Sequence, residues 1–313
     1  KGEDISPDSD YSIEKFLIEK GDGYTEPKEC SRVEVHLEGE CDGRVFDTRD
    51  VSFEIGDCED NDIPPGVELA LKKMKKKEKC RVKINSKHGF KGGHSKFNIP
   101  AGADLVYTLN LKNFEKLKET WELNDNEEKF SQSEITKEKG TEYFKRGKYA
   151  MATAYYEKVA SYLEYETDFT EEADKKKRID LLLAAHLNLA LCYLKSKDQH
   201  KCIEHCDKAI ELDQNSEKAY FRKAQAFQEL KEFKDANTMY KKVLEVNKDN
   251  AQAKKNLSVC TTELNKEKQK EKAMYQNIFS KLSKPTKADE SVTTPAGESQ
   301  PETNGTSEEP VEA

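Results

Sequence analysis

The sequence predicts a small α+β domain built on an antiparallel sheet, followed by an all-α array of three helix pairs that ends in one long helix. Apolar and polar residues alternate with period two in several segments of the first 118 residues, the pattern of half-buried strands. In the second half of the chain, the segment around Ala190 recurs 34 positions later around Ala224. A repeat of that period is typical of stacked helix pairs.

The first domain is predicted at residues 12–118. Its alternating segments are residues 33–38, 80–84 and 105–111. Val67, Leu71 and Met74 lie between them at helical spacing, which predicts one short amphipathic helix packed against the sheet. Residues 1–11 are interpreted as a linker. Residues 119–132 form a charged connector whose Trp121 is expected to pack between the domains.

Three repeat units follow, at residues 133–166, 183–216 and 217–250. Each contains a small residue that lets two antiparallel helices approach closely, namely Gly140, Ala190 and Ala224. The first helix is expected to begin near Ser133, which has capping chemistry. The first two units are further apart than one repeat period. The additional residues fall in residues 164–178, a charged stretch that predicts a lengthened helix and a loop.

The end of the chain divides into two parts. Residues 251–283 contain no helix breaker and predict a long helix that caps the open end of the array. Residues 284–313 are dominated by acidic residues, Ser, Thr, Pro and Gly, which predicts a disordered acidic tail.

Composition limits the classes of function. The 313 residues carry a net charge of −8, which predicts no attraction for nucleic acid or for an anionic membrane. The basic cluster at residues 72–79 is interpreted as a solvated helix end, and no run approaches 18 apolar residues. The eight cysteines lie mainly in apolar-periodic stretches, which predicts reduced thiols in a cytoplasmic protein, with a nuclear location as the alternative.

A metal site is weighed at three neighbouring residues, Cys202, His205 and Cys206. Cys202 and Cys206 are one helical turn apart and share a face. Because both occupy packing positions of the repeat, core thiols are favoured over metal ligands. No metal and no cofactor is predicted.

The first domain resembles an FKBP-type immunophilin domain. The resemblance rests on the order and spacing of seven motifs: Gly21-Asp-Gly-Tyr24, Val35-His-Leu-Glu-Gly39, Gly43-Arg-Val-Phe-Asp47, Phe53-Glu-Ile-Gly56, Gly66-Val-Glu-Leu-Ala-Leu-Lys-Lys-Met74, His88-Gly-Phe90 and Ile99-Pro-Ala-Gly-Ala-Asp-Leu-Val-Tyr107. It implies a five- or six-stranded sheet wrapped on a short helix. It also implies a shallow aromatic pocket that isomerises Xaa–Pro bonds.

The pocket residues are carried over by position. A prolyl isomerase needs no nucleophile, because it lowers the barrier by desolvating and distorting the amide in an apolar cradle. The resemblance matches four wall residues: Phe46, Asp47, Phe90 and Tyr107. Leu37 replaces a tyrosine, Val67 replaces the tryptophan floor, and Pro64 lacks the N–H that would bond the substrate. The departures predict weak or absent isomerase activity; the alternative is a working isomerase with an altered pocket.

The helix array resembles the tetratricopeptide repeat, and the first helix of each unit lines its concave face. Helical spacing places polar pairs there: Lys137 with Thr141, Asn188 with Lys195, and Lys218 with Arg222. The set resembles the dicarboxylate clamp of tetratricopeptide co-chaperones, with Thr141 in place of an asparagine. That clamp implies binding of the C-terminal Glu-Glu-Val-Asp of heat shock protein 90 or heat shock protein 70. The alternative is that these bases are ordinary solvated helix faces.

Taken together with a helix that ends in Lys272-Ala-Met-Tyr-Gln-Asn-Ile-Phe279, the two domains resemble the large steroid-receptor-associated FKBP-type immunophilins. The resemblance implies an isomerase domain upstream of Lys1 and client proteins such as steroid receptors. It also allows calmodulin as a partner for residues 266–282, where a packed capping helix is favoured. The sequence therefore predicts a co-chaperone that docks on heat shock protein 90. A general adaptor for other acidic partners is the remaining alternative.

Overall fold

The structure is a computed structural model that describes residues 2–165 and 169–282. The chain divides into two compact units, Lys1–Glu263 and Leu264–Ala313. Six strands are described: β1 (Glu3–Asp4), β2 (Ile13–Glu19), β3 (Arg32–Cys41), β4 (Arg44–Glu54), β5 (Lys79–Ile84) and β6 (Leu105–Glu115). The α-helices of the described residues are α1 (Pro65–Leu71), α2 (Asn126–Lys145), α3 (Tyr149–Leu163), α4 (Glu172–Ser196), α5 (Gln199–Leu212), α6 (Glu217–Glu229), α7 (Phe233–Val246) and α8 (Ala251–Leu282).

The strands form one antiparallel sheet in the order β1-β2-β5-β6-β3-β4. The alternation predicted for β3 is confirmed, since Val33, Val35 and Leu37 are buried and Glu34 is exposed. Strand β2 has no such signal because it buries Lys15 and exposes Leu17. Six strands agree with the upper count implied by the family resemblance.

Helix α1 packs against the sheet. Val67 and Leu71 are fully buried, and Pro65 begins the helix at a position where its missing N–H costs nothing. Met74 is also fully buried, although it lies beyond the end of the helix. Gly66 lets the helix approach β5, because a Cβ there would lie 2.5 Å from Cγ2 of Ile84.

Three helix pairs follow, α2 with α3, α4 with α5, and α6 with α7. The small residues have the predicted role. A Cβ on Gly140 would lie 2.9 Å from the ring of Tyr156, and Ala190 and Ala224 are fully buried. The predicted fold class, an antiparallel sheet domain followed by three helix pairs and a long final helix, is confirmed.

The connector between sheet and helices differs from its prediction. Helix α2 begins at Asn126 and not near Ser133, because the Asp125 carboxylate accepts a 2.8 Å hydrogen bond from the Glu128 N–H and caps the helix there. Ser133 is buried inside α2. Trp121 lies in a short 3-10 turn and is 80% exposed, so it does not pack between the domains.

The charged stretch at residues 164–178 contains the loop after α3 and the first turns of α4. Arg178, within this stretch, stabilises the end of the preceding helix. Its guanidinium donates to the carbonyls of Leu163 at 2.7 Å and Glu164 at 3.0 Å, and so caps the C-terminus of α3. Residues 166–168 lie outside the described part of the chain.

Helix α8 has different surroundings in the two units. In the first unit, Ala253, Leu257 and Cys260 pack with Tyr240 and Val243 of α7. In the second unit, the apolar side chains of the helix are exposed: Met274, Tyr275, Ile278 and Phe279. The predicted acidic tail, residues 284–313, lies outside the described residues.

By length and composition alone, α4 could cross a membrane, the one such helix in the described ranges. The sequence prediction did not register it because it counted unbroken apolar runs, and His186 and Asn188 interrupt this one. Leu182 and Leu189 of α4 pack in two of the helical cores. In this fold α4 is therefore a core helix.

Candidate functional site

The predicted clamp residues lie on α2, α4 and α6, and α4 contacts both of the other two helices. Three of the residues are lysines: Lys137, Lys195 and Lys218. Lys195 and Lys218 are exposed and Lys137 is half-buried. Among the described ion pairs none involves these lysines, although the protein is acidic overall. The three helices therefore present positive charge that the fold itself does not neutralise.

Arg222 and Asn188 meet where α6 packs on α4. The Arg222 guanidinium donates to the carbonyl of Leu187, the residue before Asn188. Burial lowers the pKa of Arg222 from its ordinary value, so the group is an anchored and partly desolvated cation. The side chain of Asn188 is half-buried, and no hydrogen bond to its amide is found in the described part of the chain. An anchored guanidinium beside an available amide suits a carboxylate ligand.

Thr141 is not the free donor that the resemblance implies. Its hydroxyl donates to the carbonyl of Lys137 at 2.9 Å and lies 3.0 Å from the hydroxyl of Tyr156. A hydroxyl carries one proton. In the unliganded protein that proton is already engaged inside the molecule.

The aromatic residues of the FKBP-like pocket come together as the resemblance implies. Phe46 on β4 meets Tyr107 on β6 edge to face, with ring centroids 5.8 Å apart. Phe90 lies in the loop before β6 and contacts the His94 ring at 4.6 Å. The sequence argument missed Phe97, whose ring stacks on His94 at 4.6 Å and lies 5.4 Å from Phe46. Phe97 therefore adds a further ring to the aromatic cluster formed by Phe46, Phe90 and Tyr107.

That loop is held in place by several bonds. The Arg44 guanidinium donates to the carbonyls of Phe97 and Asn98, both at 3.0 Å. Asp62 accepts from Lys96 at 2.5 Å and contacts Nε2 of His94 at 3.2 Å. These contacts hold Phe97 against Phe46.

The base of the pocket contains two buried polar groups. Asp47 lies beside Arg49, with Oδ2 and Nε 3.1 Å apart, and burial raises the pKa of Asp47. Burial also raises the pKa of Tyr107. Within the described residues, neither the Tyr107 hydroxyl nor Asp47 Oδ2 has a well-directed hydrogen bond. Such groups are available to a water molecule or to a ligand.

The three departures from the family pocket lie in the core and at the start of α1. Leu37 and Val67 are fully buried and belong to the core. Pro64 precedes the first turn of α1 and offers no N–H. The floor is therefore aliphatic and lacks the indole that the resemblance implies for active members.

The sheet and the first helix pair are joined by a cluster that the sequence argument did not identify. Glu54, at the end of β4, accepts from Lys139 at 2.5 Å, from the Tyr143 hydroxyl at 2.8 Å and from Tyr155. Asp57 and Asp60 bind basic residues of the same helix pair, Arg146 and Lys148. The acidic segment and its basic partners are visible in the sequence, but their pairing depends on how the domains dock.

The residues weighed as metal ligands have different surroundings. Cys202 and Cys206 are fully buried in a helical core. His205 instead contacts His186, with their Nδ1 atoms 3.2 Å apart, and stacks on Tyr193. No group of three metal-ligating side chains occurs in the described ranges.

Comparisons with known proteins agree with this architecture. The profile of the FKBP-type peptidyl-prolyl cis-trans isomerase family matches residues 23–112, and tetratricopeptide repeat profiles match residues 184–216 and 217–250. Peptidyl-prolyl cis-trans isomerase FKBP4 of Bos taurus is 44% identical over 283 residues, which are 90% of this chain and 61% of that protein. FK506-binding protein 59 of Drosophila melanogaster is 37% identical over 283 residues, 90% of this chain and 63% of that protein.

A solved structure, the first tetratricopeptide domain of Spaghetti (RPAP3) bound to an HSP90 peptide, is 26% identical with a TM-score of 0.36 and covers 42% of this chain and 92% of that one. The chain spans about three fifths of the length of the FKBP4 relatives that it matches. The profile matches define an immunophilin, in which an FKBP-type domain precedes tetratricopeptide repeats. Over 90% of its length the chain is similar to FKBP4 and its relatives.

Proposed function

We propose that this chain is a co-chaperone interaction module whose repeat region binds the C-terminal Glu-Glu-Val-Asp of heat shock protein 90. The observation that carries the proposal is the set of unneutralised cations on α2, α4 and α6, Lys137, Lys195 and Lys218, beside the amide of Asn188. A peptide that ends in acidic residues offers a carboxylate to each of these groups. Charge-assisted hydrogen bonds of about 1.5–3 kcal/mol each would support micromolar affinity after the ordering cost.

The FKBP-like domain is proposed to be a spacer or a client-facing surface with weak or no isomerase activity. The aliphatic side chains of Leu37 and Val67 and the packing of Phe97 against Phe46 support this role. The unpartnered Tyr107 hydroxyl favours the second candidate, an isomerase whose altered pocket takes a different substrate. Catalysis of cis–trans exchange in a proline tetrapeptide distinguishes the two.

The other partners expected from the family resemblance are also proposals. Steroid receptors are proposed as clients, and the cytoplasm as the compartment. Residues 266–282 lie in α8 within the second unit, and their exposed Tyr275 and Phe279 suit calmodulin.

The test is calorimetric titration of the peptide Met-Glu-Glu-Val-Asp into the protein and into Lys137→Ala and Lys218→Ala variants. Each substitution removes one charge-assisted contact, so the Kd should rise at least tenfold. Lys241→Ala is the matched control, because Lys241 is an exposed lysine of α7, outside the clamp helices. Loss of binding in Lys241→Ala would show that only overall charge matters.

Further peptides sharpen the result. Amidation of the peptide C-terminus should abolish binding, since the proposed clamp binds the terminal carboxylate. The chaperone tails of heat shock proteins 90 and 70 differ before the shared Glu-Glu-Val-Asp, and their affinities decide which is preferred. Equal binding of a scrambled acidic peptide would favour the general adaptor.

A further inference from the structure

The hydroxyls of Thr141 and Tyr156 form a hydrogen-bonded pair at the clamp. Tyr156 lies on α3 and is 2% exposed, and its ring packs over Gly140. The two hydroxyl oxygens are 3.0 Å apart. Thr141 Oγ1 also lies 2.9 Å from the carbonyl oxygen of Lys137, one helical turn earlier.

The protons of this chain of bonds can be assigned by counting. The carbonyl of Lys137 can only accept a hydrogen bond, so the Thr141 hydroxyl must be the donor and uses its one proton in this bond. The oxygen of Thr141 must then accept from the Tyr156 hydroxyl. A buried phenol without a partner is costly, and Thr141 is the acceptor that the structure offers to Tyr156.

The same chain of bonds has a second arrangement. The Lys137 carbonyl also accepts the backbone N–H of Thr141 within the helix, as the regular α-helical pattern requires. It therefore remains bonded if the Thr141 hydroxyl rotates away. Rotation about the C–O bond would direct the Thr141 proton to a ligand, while Tyr156 continues to donate to the same oxygen.

We propose that Tyr156 is a positioning residue of the clamp, which holds the Thr141 oxygen in place so that its proton can turn from the Lys137 carbonyl to a peptide carboxylate. This inference rests on the proposed function and deepens it. A hydroxyl that accepts one hydrogen bond is a stronger donor of its own proton. The pair thus supplies the donor that an asparagine amide supplies in the family pattern.

The test is a double-mutant cycle on affinity for Met-Glu-Glu-Val-Asp, measured by calorimetry. Tyr156→Phe keeps the ring and removes the hydroxyl, and Thr141→Val keeps the shape and removes the donor. Each variant should weaken binding by roughly three- to tenfold, the net worth of one hydrogen bond. The double variant should bind no more weakly than Thr141→Val.

Two further variants separate positioning from packing. Thr141→Ser keeps the hydroxyl and should bind like the wild type. Thr141→Asn carries its own amide donors, so in that background Tyr156→Phe should have no effect. If Thr141→Val fails to fold because Tyr156 loses its partner, Thr141→Asn takes the place of Thr141→Val in the double-mutant cycle.

The outcomes are distinguishable. Unchanged affinity in Tyr156→Phe overturns this inference alone, provided that the wild type binds and Lys218→Ala binds at least tenfold more weakly. A full additional loss in the double variant also overturns it, because Tyr156 would then act independently of Thr141. Failure of the wild type to bind overturns the proposed function, and this inference with it.

Discussion

Replacing Glu54 by alanine should separate the sheet from the helix array. Glu54 is the acceptor for three side chains of the first helix pair: Lys139, Tyr143 and Tyr155. Its side chain is 13% exposed. Truncation therefore removes a largely buried carboxylate from the centre of the contact between the two domains.

The loss of stability in Glu54→Ala depends on whether each of the three partners finds another hydrogen-bonding group. Lys139 is 40% exposed and regains water at little cost. Tyr143 lies 3.4 Å from Asp57 and can turn to that carboxylate. Tyr155 is fully buried and loses its acceptor. One orphaned phenol and one lost charge-assisted bond together predict a loss of about 3 kcal/mol in the free energy of unfolding.

Glu54→Gln should cost less, about 1–2 kcal/mol, because the amide oxygen can still accept from one tyrosine. Burial alone would raise the pKa of Glu54, but the hydrogen bonds from Lys139, Tyr155 and Tyr143 outweigh it and hold the pKa below its ordinary value. The carboxylate therefore contributes stability above the unfolded pKa, and this is lost as the pH falls through the folded pKa. The difference between wild type and Glu54→Gln should shrink in acid.

The assay is urea denaturation followed by far-ultraviolet circular dichroism, with Glu59→Ala as the control because Glu59 is exposed beside the same contact. The wild type and the control should share one midpoint. Glu54→Ala should unfold at lower urea, with the helical transition separating from that of the sheet. A Glu54→Ala midpoint within error of the control would refute the reasoning.

Two further perturbations test the pocket and the histidine pair. Phe97→Ala removes the ring that packs against Phe46 and so widens the space beside it, which should raise prolyl-isomerase turnover on a proline tetrapeptide severalfold. An unchanged rate would show that the aliphatic floor alone limits the pocket. Burial lowers the pKa of His186 to about 4, so the unfolded state binds more protons between about pH 4 and 6.5 and stability falls on acidification through that window, by on the order of 3 kcal/mol. His186→Gln should flatten this part of the stability profile measured by urea denaturation, and an equally steep profile would assign it to other groups.

The positions of the candidate clamp residues along their helices could be predicted, because local periodicity sets them. Lys137, Lys218 and Arg222 follow from helical spacing and from the repeat. The start of α2 was mispredicted because Ser133 and Asp125 can both cap a helix, and the choice depends on which side chain reaches a free N–H. Phe97 was missed because nothing in a loop sequence shows into which pocket a ring turns.

The sequence by itself determined the fold class and the helix repeat, since periods of 2 and 3.6 residues are properties of the backbone, and β3 and the helix pairs repeat them locally. Only the tertiary structure decided how groups far apart in the chain share protons and charge. Glu54 meets Tyr155 across 101 residues, and Thr141 meets Tyr156 only where α2 and α3 pack over Gly140. Such contacts depend on three-dimensional docking, and no local pattern encodes them.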